Sequence, residues 1–374
     1  MLYTSDMTSL VFIESTDYEK LVNFSFSSLS IVFFALGVYL IKVTYGVNRK
    51  LFNDKFINKT YHIENENVKY TILVIAFFIS FLICIFHFHA AGIPFFSDEP
   101  NVARINFIRG FGYLFIFNSL FNPMISFAGL FMALLTRNKI WKIVFITFSI
   151  LSMMLSWITL FKSAVVVQGI LLFLAYYTYK RKIPNIKSIF ILVLVLFLVL
   201  FSLILLVSDS SETAFSYLIY RVFLINTFDT VTIINAIESG SLDLLYGASI
   251  LKDIVANKPG PEMSFQGEMY SYIYNNGVEA GINASYSQLF VDFSWAGIFV
   301  YLLLGMIFEY VYIKVFLFKN KIKVDTFIFY TFICYGMANA SGYLTKGIFN
   351  WTVPILLFIF LYKFTVRIIP VKNI

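Results

Sequence analysis

The sequence predicts an all-α polytopic membrane protein with about nine transmembrane helices (range about nine to twelve). Three observations lead there. Of 374 residues, 59% are hydrophobic and only 13% charged, against about a quarter charged in soluble domains. Apolar stretches near 20 residues recur, each long enough to cross about 30 Å of hydrocarbon as a helix. Basic residues cluster at alternate ends of those stretches, the pattern that marks loops on one side of a membrane. A barrel would instead show segments of about ten alternating residues, and the sequence has none.

The expected spans cover about 21–42, 70–91, 110–135, 141–160, 163–180, 188–208, 293–316, 325–343 and 347–367. The first 20 residues lack a basic stretch followed by an apolar core, so no cleavable signal is read and the first helix is expected to direct insertion. Residues 221–239 are apolar enough to tempt a tenth span. One extra crossing, however, would move Lys319, Lys321 and Lys323 to the other side and reverse the charge bias. That segment is therefore expected to be an interfacial helix, or a re-entrant one paired with 242–256. The expected organisation is an N-terminal six-helix bundle (1–208), one large outer loop (209–292) and three closing helices (293–374). No internal repeat is visible.

Twenty of the 28 basic residues fall in the same set of alternating loops, from Lys42–Lys69 through Arg137–Lys142, Lys180–Lys187 and Lys314–Lys323 to Lys363–Lys372. The positive-inside rule makes that side cytoplasmic. The N-terminus then lies outside and the C-terminus inside. The net charge of +7 is thus mainly an orientation signal. No basic tract is interleaved with stacking aromatics on a polar face, which excludes a nucleic-acid partner. Cys84 and Cys334 fall inside predicted helices and are expected as two buried thiols.

The eight remaining cations lie on the outer side, where topology does not call for them. Arg104 and Arg109 follow the segment Gly92-Ile93-Pro94-Phe95-Phe96-Ser97-Asp98-Glu99, where Gly and Pro end a helix and force an irregular path. Their guanidinium forks suit a diphosphate or carboxylate. Headgroup contact, or pairing with Asp98 and Glu99, is the plainer alternative. Arg221 sits in Tyr220-Arg221-Val222-Phe223-Leu224 and needs a partner at a membrane boundary, either Asp229 or a substrate phosphate. Lys162 and Lys346 add positive potential or snorkel to headgroups.

For acid–base work the outer loop offers Glu268 and Asp292, since a carboxylate in a partly apolar mouth can take a proton from a sugar hydroxyl. Both also read as solvated loop charges. Tyr270, Asn283 and Gln288 are candidates for sugar contacts. His87 and His89, two apart on a helix, point to different faces, so a shared metal is not expected. No HExxH, Asp-x-Asp or phosphate-loop motif occurs, so neither a metal, a nucleotide nor any other cofactor is expected.

The Gly-Ile-Pro-Phe-Phe-Ser…Ala103-Arg104 loop, the Tyr220–Leu224 lead into a large outer loop, and the three closing helices together resemble the Wzy-type O-antigen and capsule polymerases. The resemblance covers nearly the whole chain by architecture, with loose local motifs. It implies a fold similar to the metal-independent GT-C-like polymerases and ligases. It implies repeat units linked to undecaprenyl diphosphate as substrates, on the periplasmic face of a bacterial inner membrane. Growing chain would pass to the non-reducing end of the next repeat unit, with inversion, and a chain-length regulator would be a partner. Family arginines that bind substrate map to Arg104 and Arg221. The large loop lacks the His of related ligases, so the resemblance names no base. A flippase for the same lipid-linked saccharide and an O-antigen ligase remain the alternatives.

Overall fold

The computed structural model describes residues 17–48, 51, 60–63, 65–100, 103, 106–107, 111–205, 215, 218, 225–249, 287–318, 321–342, 355–356, 359 and 362–363. Its long elements are α1 (Asp17–Thr44), α2 (Glu66–Ala91), α3 (Gly112–Leu135), α4 (Lys139–Trp157), α5 (Lys162–Lys180) and α6 (Ile186–Leu205). Then come α7 (Ile225–Glu238), α8 (Ser287–Phe293), α9 (Ile298–Val311) and α10 (Val324–Gly342), with short strands β1 (Thr60–His62) and β2 (Lys321–Lys323). Six helical stretches among the described residues are long and apolar enough to cross a membrane: α1, α2, α3, α4, α6 and the run Gln288–Lys314 through α8 and α9. Two shorter apolar helices, Val165–Lys180 and Val324–Gly336, coincide with the fifth and eighth expected spans. Most of the ninth, 347–367, lies outside the described residues. The protein is a helical multi-pass membrane protein.

The chain forms two compact units that cut across sequence order. The first takes residues 1–48, 216–312 and 334–352, and hence α1, α7, α8 and α9; the second takes 49–215, 313–333 and 353–374. Helices adjacent in sequence are thus not always adjacent in space, because complementary faces decide which helices pair.

In the first unit α1 and α9 run parallel. Ring contacts climb together along both helices, from Phe26 with Tyr301, through Phe34 with Phe308, to Tyr45 with Tyr310. The backbones meet at two glycines. A Cβ at Gly37 would stand 2.2 Å from the Leu302 carbonyl oxygen, and one at Gly305 would stand 2.1 Å from that of Phe34. Small residues allow such approach where lipid supplies no hydrophobic drive for helix pairing. The described part of α7, 14 residues, is about 21 Å long. It packs on α1 and α8, and its Thr230, Val231, Ile233, Ile234 and Ala236 are all buried.

In the second unit successive helices are antiparallel. Tyr70 at the start of α2 bonds Thr136 after α3 at 2.9 Å, and Ser80 reaches Asn122 at 3.0 Å. Ser126 of α3 pairs with Ser149 of α4, and Gln168 of α5 bonds Ser156 of α4. Helix α3 is the hub, packed against α2, α4 and α5. The strands join two loops assigned to one side by charge: β1 pairs with β2 in parallel, Thr60 opposite Lys321. Tyr61 of β1 wedges between Phe131 and Phe327, and burial holds its hydroxyl above the ordinary tyrosine range. A cysteine pair at Thr60 and Lys321 is expected to cross-link on mild oxidation, because paired strands lie about 4.8 Å apart. Thr60→Cys with Lys323→Cys, two positions out of register and about 8 Å apart, should not. Equal yields from both pairs would refute the register.

Candidate functional site

The segment after α2 is built by its glycine and proline. Gly92 takes φ 78° and returns its N–H to the Phe88 carbonyl, ending the helix. Pro94 opens one tight turn, Pro94–Phe96, and the Phe95 N–H bonds the Ile158 carbonyl at 3.3 Å. That bond joins the loop after α2 to the α4–α5 turn, two segments assigned to the same side by charge. Ser97 Oγ accepts from the Glu99 N–H at 3.2 Å, and the Ala103 N–H bonds the Glu99 carbonyl at 3.0 Å. Asp98 and Glu99 are exposed. Lys162 is the first residue of α5, just past that α4–α5 turn.

Of the residues assigned to a site from sequence, Asp292 and Gln288 have described side chains, and Gln288 is buried on α8. Arg104, Arg109, Arg221, Lys346, Glu268, Tyr270 and Asn283 lie outside the described residues, as does the side chain of Lys162. Asp292, near the end of α8, is fully buried. Its Oδ2 accepts from the Ser249 hydroxyl at 2.6 Å and its Oδ1 from the Ser249 N–H at 3.2 Å. Beside it the Leu245 N–H bonds the Val291 carbonyl and the Tyr246 N–H bonds the Asp292 carbonyl, both at 3.0 Å. Gly247, at φ 90°, turns the chain back so that both amides face α8. Asp292 therefore docks residues 245–249 of the polar stretch onto the start of the α8–α9 run. A carboxylate so engaged must exchange the Ser249 proton before it can take one from a substrate.

Sequence reasoning missed a buried hydrogen-bond chain between α2 and α3. Ser80 Oγ donates to Asn122 Oδ1 at 3.0 Å, and Asn122 Nδ2 to Cys84 Sγ at 3.1 Å. Cys84 Sγ donates to Asn118 Oδ1 at 3.2 Å. Asn118 Nδ2 stands 3.0 Å from His87 Nδ1, and His87 Nε2 stands 2.9 Å from the Phe107 carbonyl. All five side chains are buried. The carbonyl can only accept, so Nε2 carries the proton and Nδ1 takes the Asn118 bond. Both ring nitrogens are occupied, so His87 is not available as a base in this state, whereas His89 is exposed. The spacing of Ser80, Cys84 and His87 (i, i+4, i+7), matched by Asn118 and Asn122, is a polar seam legible in membrane helices.

Two further charged features emerge. Lys69 forms an ion pair with Asp325 and bonds the Tyr362 hydroxyl, and Tyr362 donates to Asp325 at 3.0 Å. Lys69 reads in the sequence only as an orientation signal. Glu309 of α9 is 3% exposed and its Oε1 has no hydrogen-bond partner. Among the described residues no three His, Cys, Asp or Glu side chains gather as a metal site would require. Comparison with family models, curated proteins and solved structures finds no match to this chain.

Proposed function

We propose that this protein is a polysaccharide polymerase. It transfers a growing chain from its undecaprenyl diphosphate carrier to the non-reducing-end hydroxyl of the next lipid-linked repeat unit, at the periplasmic face of a bacterial inner membrane. The observation that carries this reading is the docking of residues 245–249 onto the α8–α9 run through Asp292 and Ser249. The polar stretch is anchored at a helix mouth, as one-sided surface chemistry needs. The resemblance drawn from Gly92–Arg104 and Tyr220–Leu224 supplies the reaction.

In that reaction the acceptor oxygen bonds the anomeric carbon as the sugar–diphosphate bond breaks, and the pair of electrons leaves on the diphosphate. Arg104, Arg109, Arg221, Lys162 and Lys346 are the cations assigned to that developing charge. The leaving group is already activated, so neither nucleotide nor metal is required. The hydroxyl proton passes to a carboxylate. Because both oxygens of Asp292 are held by Ser249, Glu268 is the favoured base. Tyr270 and Asn283 are assigned to the sugar. A GT-C-like architecture, inversion at the anomeric carbon and a chain-length regulator belong to the same proposal.

Transport of the lipid-linked saccharide is the second reading, favoured by the buried carboxylate of Glu309. One experiment separates them. In a strain deleted for the protein, Arg104→Ala or Arg221→Ala at normal expression is expected to leave single-repeat product and remove long chains. Wild-type chain lengths in both variants would sink the assigned cations. Loss of the single-repeat product as well would favour transport.

A further inference from the structure

We infer that His87 is a positioning residue for the segment that carries Arg104 and Arg109. The inference deepens the polymerase reading and rests on it for the role of those arginines; the anchoring itself rests on geometry alone.

The imidazole touches that segment in two ways. Its Nε2–H donates to the Phe107 carbonyl at 2.9 Å, and its ring stacks on Phe107 with centroids 3.8 Å apart and planes 21° apart. Phe107 is itself fully buried among Cys84, Phe88, Phe115, Leu155 and Phe161. Phe111 lies within 5.6 Å of the same imidazole. On the near side the Ala103 N–H is bonded to Glu99. Arg104 is three peptide links before Phe107 in the sequence and Arg109 two after it.

The other nitrogen explains why the anchor is stiff. Nδ1 is held by Asn118, and the chain through Cys84 and Asn122 to Ser80 uses one donor of each side chain, all in one direction. A satisfied network in a medium without water has no competing partner to exchange with. The ring therefore cannot turn without opening a run of bonds along two helices. Catalysis that depends on guanidinium groups aimed at a leaving diphosphate is sensitive to such support, since a shift near 1 Å can cost about a hundredfold.

The test uses the full-length protein in detergent or bilayer. His87→Phe keeps an aromatic ring for the stack and removes both nitrogens; His87→Gln restores one donor and one acceptor on a flexible chain. Hydrogen exchange of the Arg104–Gly110 amides is expected to quicken in His87→Phe and to return toward wild type in His87→Gln. Polymer formation from a lipid-linked repeat unit is expected to fall about tenfold or more in turnover in His87→Phe, with KM little changed, and to recover in part in His87→Gln. Unchanged exchange in His87→Phe overturns the anchor whatever the activity. Quickened exchange with undiminished turnover overturns its link to the diphosphate. If wild-type protein makes no polymer, the polymerase reading fails, and exchange alone decides the anchor. Should His87→Phe not accumulate, Asn118→Ala, which removes the Nδ1 partner, carries the same comparison.

Discussion

Gly305→Ala is expected to cost more than about 3 kcal/mol and to deplete the folded protein. The added methyl would lie 2.1 Å from the Phe34 carbonyl oxygen, a backbone atom that no rotamer change can move aside. Relief requires α1 and α9 to part by over an ångström along a contact that also packs Phe33 on Phe299 and Phe34 on Phe308. Dispersion between the helices then falls away, and in lipid dispersion is most of what holds them. Gly46→Ala is the control. It meets nothing within 4 Å but holds φ at 62°, so its cost is the left-handed strain alone, about 1–2 kcal/mol. Fluorescence-detected size exclusion after a temperature ramp reads both. A wild-type midpoint for Gly305→Ala would mean that the helices do not meet at that glycine.

The second large effect is expected at Asp325. Asp325→Ala removes the carboxylate that neutralises Lys69, whose side chain is 12% exposed. An amine left without its partner in such a place costs about 3 kcal/mol or more. Tyr362 cannot replace the charge, although its ring lies 4.9 Å from Nζ. The cluster stands at the edge of an apolar cavity of about 80 Å³ lined by residues such as Leu73, Ala76, Met124, Ala128 and Ile328, so water has little purchase on a stranded ammonium. Removing both charges, with Lys69→Met and Asp325→Leu, should recover most of the loss, because neither ion is then left alone. The two single variants and the double form a cycle, read as thermal midpoints. A double variant no better than Asp325→Ala would show that the pair holds no mutual energy.

The helices themselves were legible because a membrane imposes one dominant rule. Backbone groups must be satisfied within the segment, so an apolar run near 20 residues is almost a structural statement. The spans at 21–42 and 70–91 correspond to α1 and α2, whose described ends lie at Asp17–Thr44 and Glu66–Ala91. Pairing was not legible, since α1 and α9 find each other through Gly37 and Gly305, two glycines among 18 that look alike until their neighbours are known. Charge asymmetry led to the arginines and equally concealed Lys69, because a residue that satisfies a topology rule invites no second question. His87 reads in the sequence as a metal ligand without a partner or as a base, not as an anchor. Its pairing with Asn118 depends on how α2 and α3 are rotated against each other, and rotation is set by packing, not by any one helix. Asp292 was noticed as a carboxylate at a mouth, but its tie to Ser249 joins positions 43 apart and left no local trace.

The parallel contact of α1 with α9 also sets a timetable. Gly37 must wait for Leu302, roughly 265 residues further along the chain. Synthesis at about 5–20 residues per second places that partner about 13–53 s later. Throughout that interval Gly37 lacks the Leu302 carbonyl against which it packs. Helices α2 to α6 are made in the meantime and can pair in sequence with short loops between them. A ribosome that stalls before residue 302 would therefore leave α2 to α6 paired with one another and α1 without the helix it packs on.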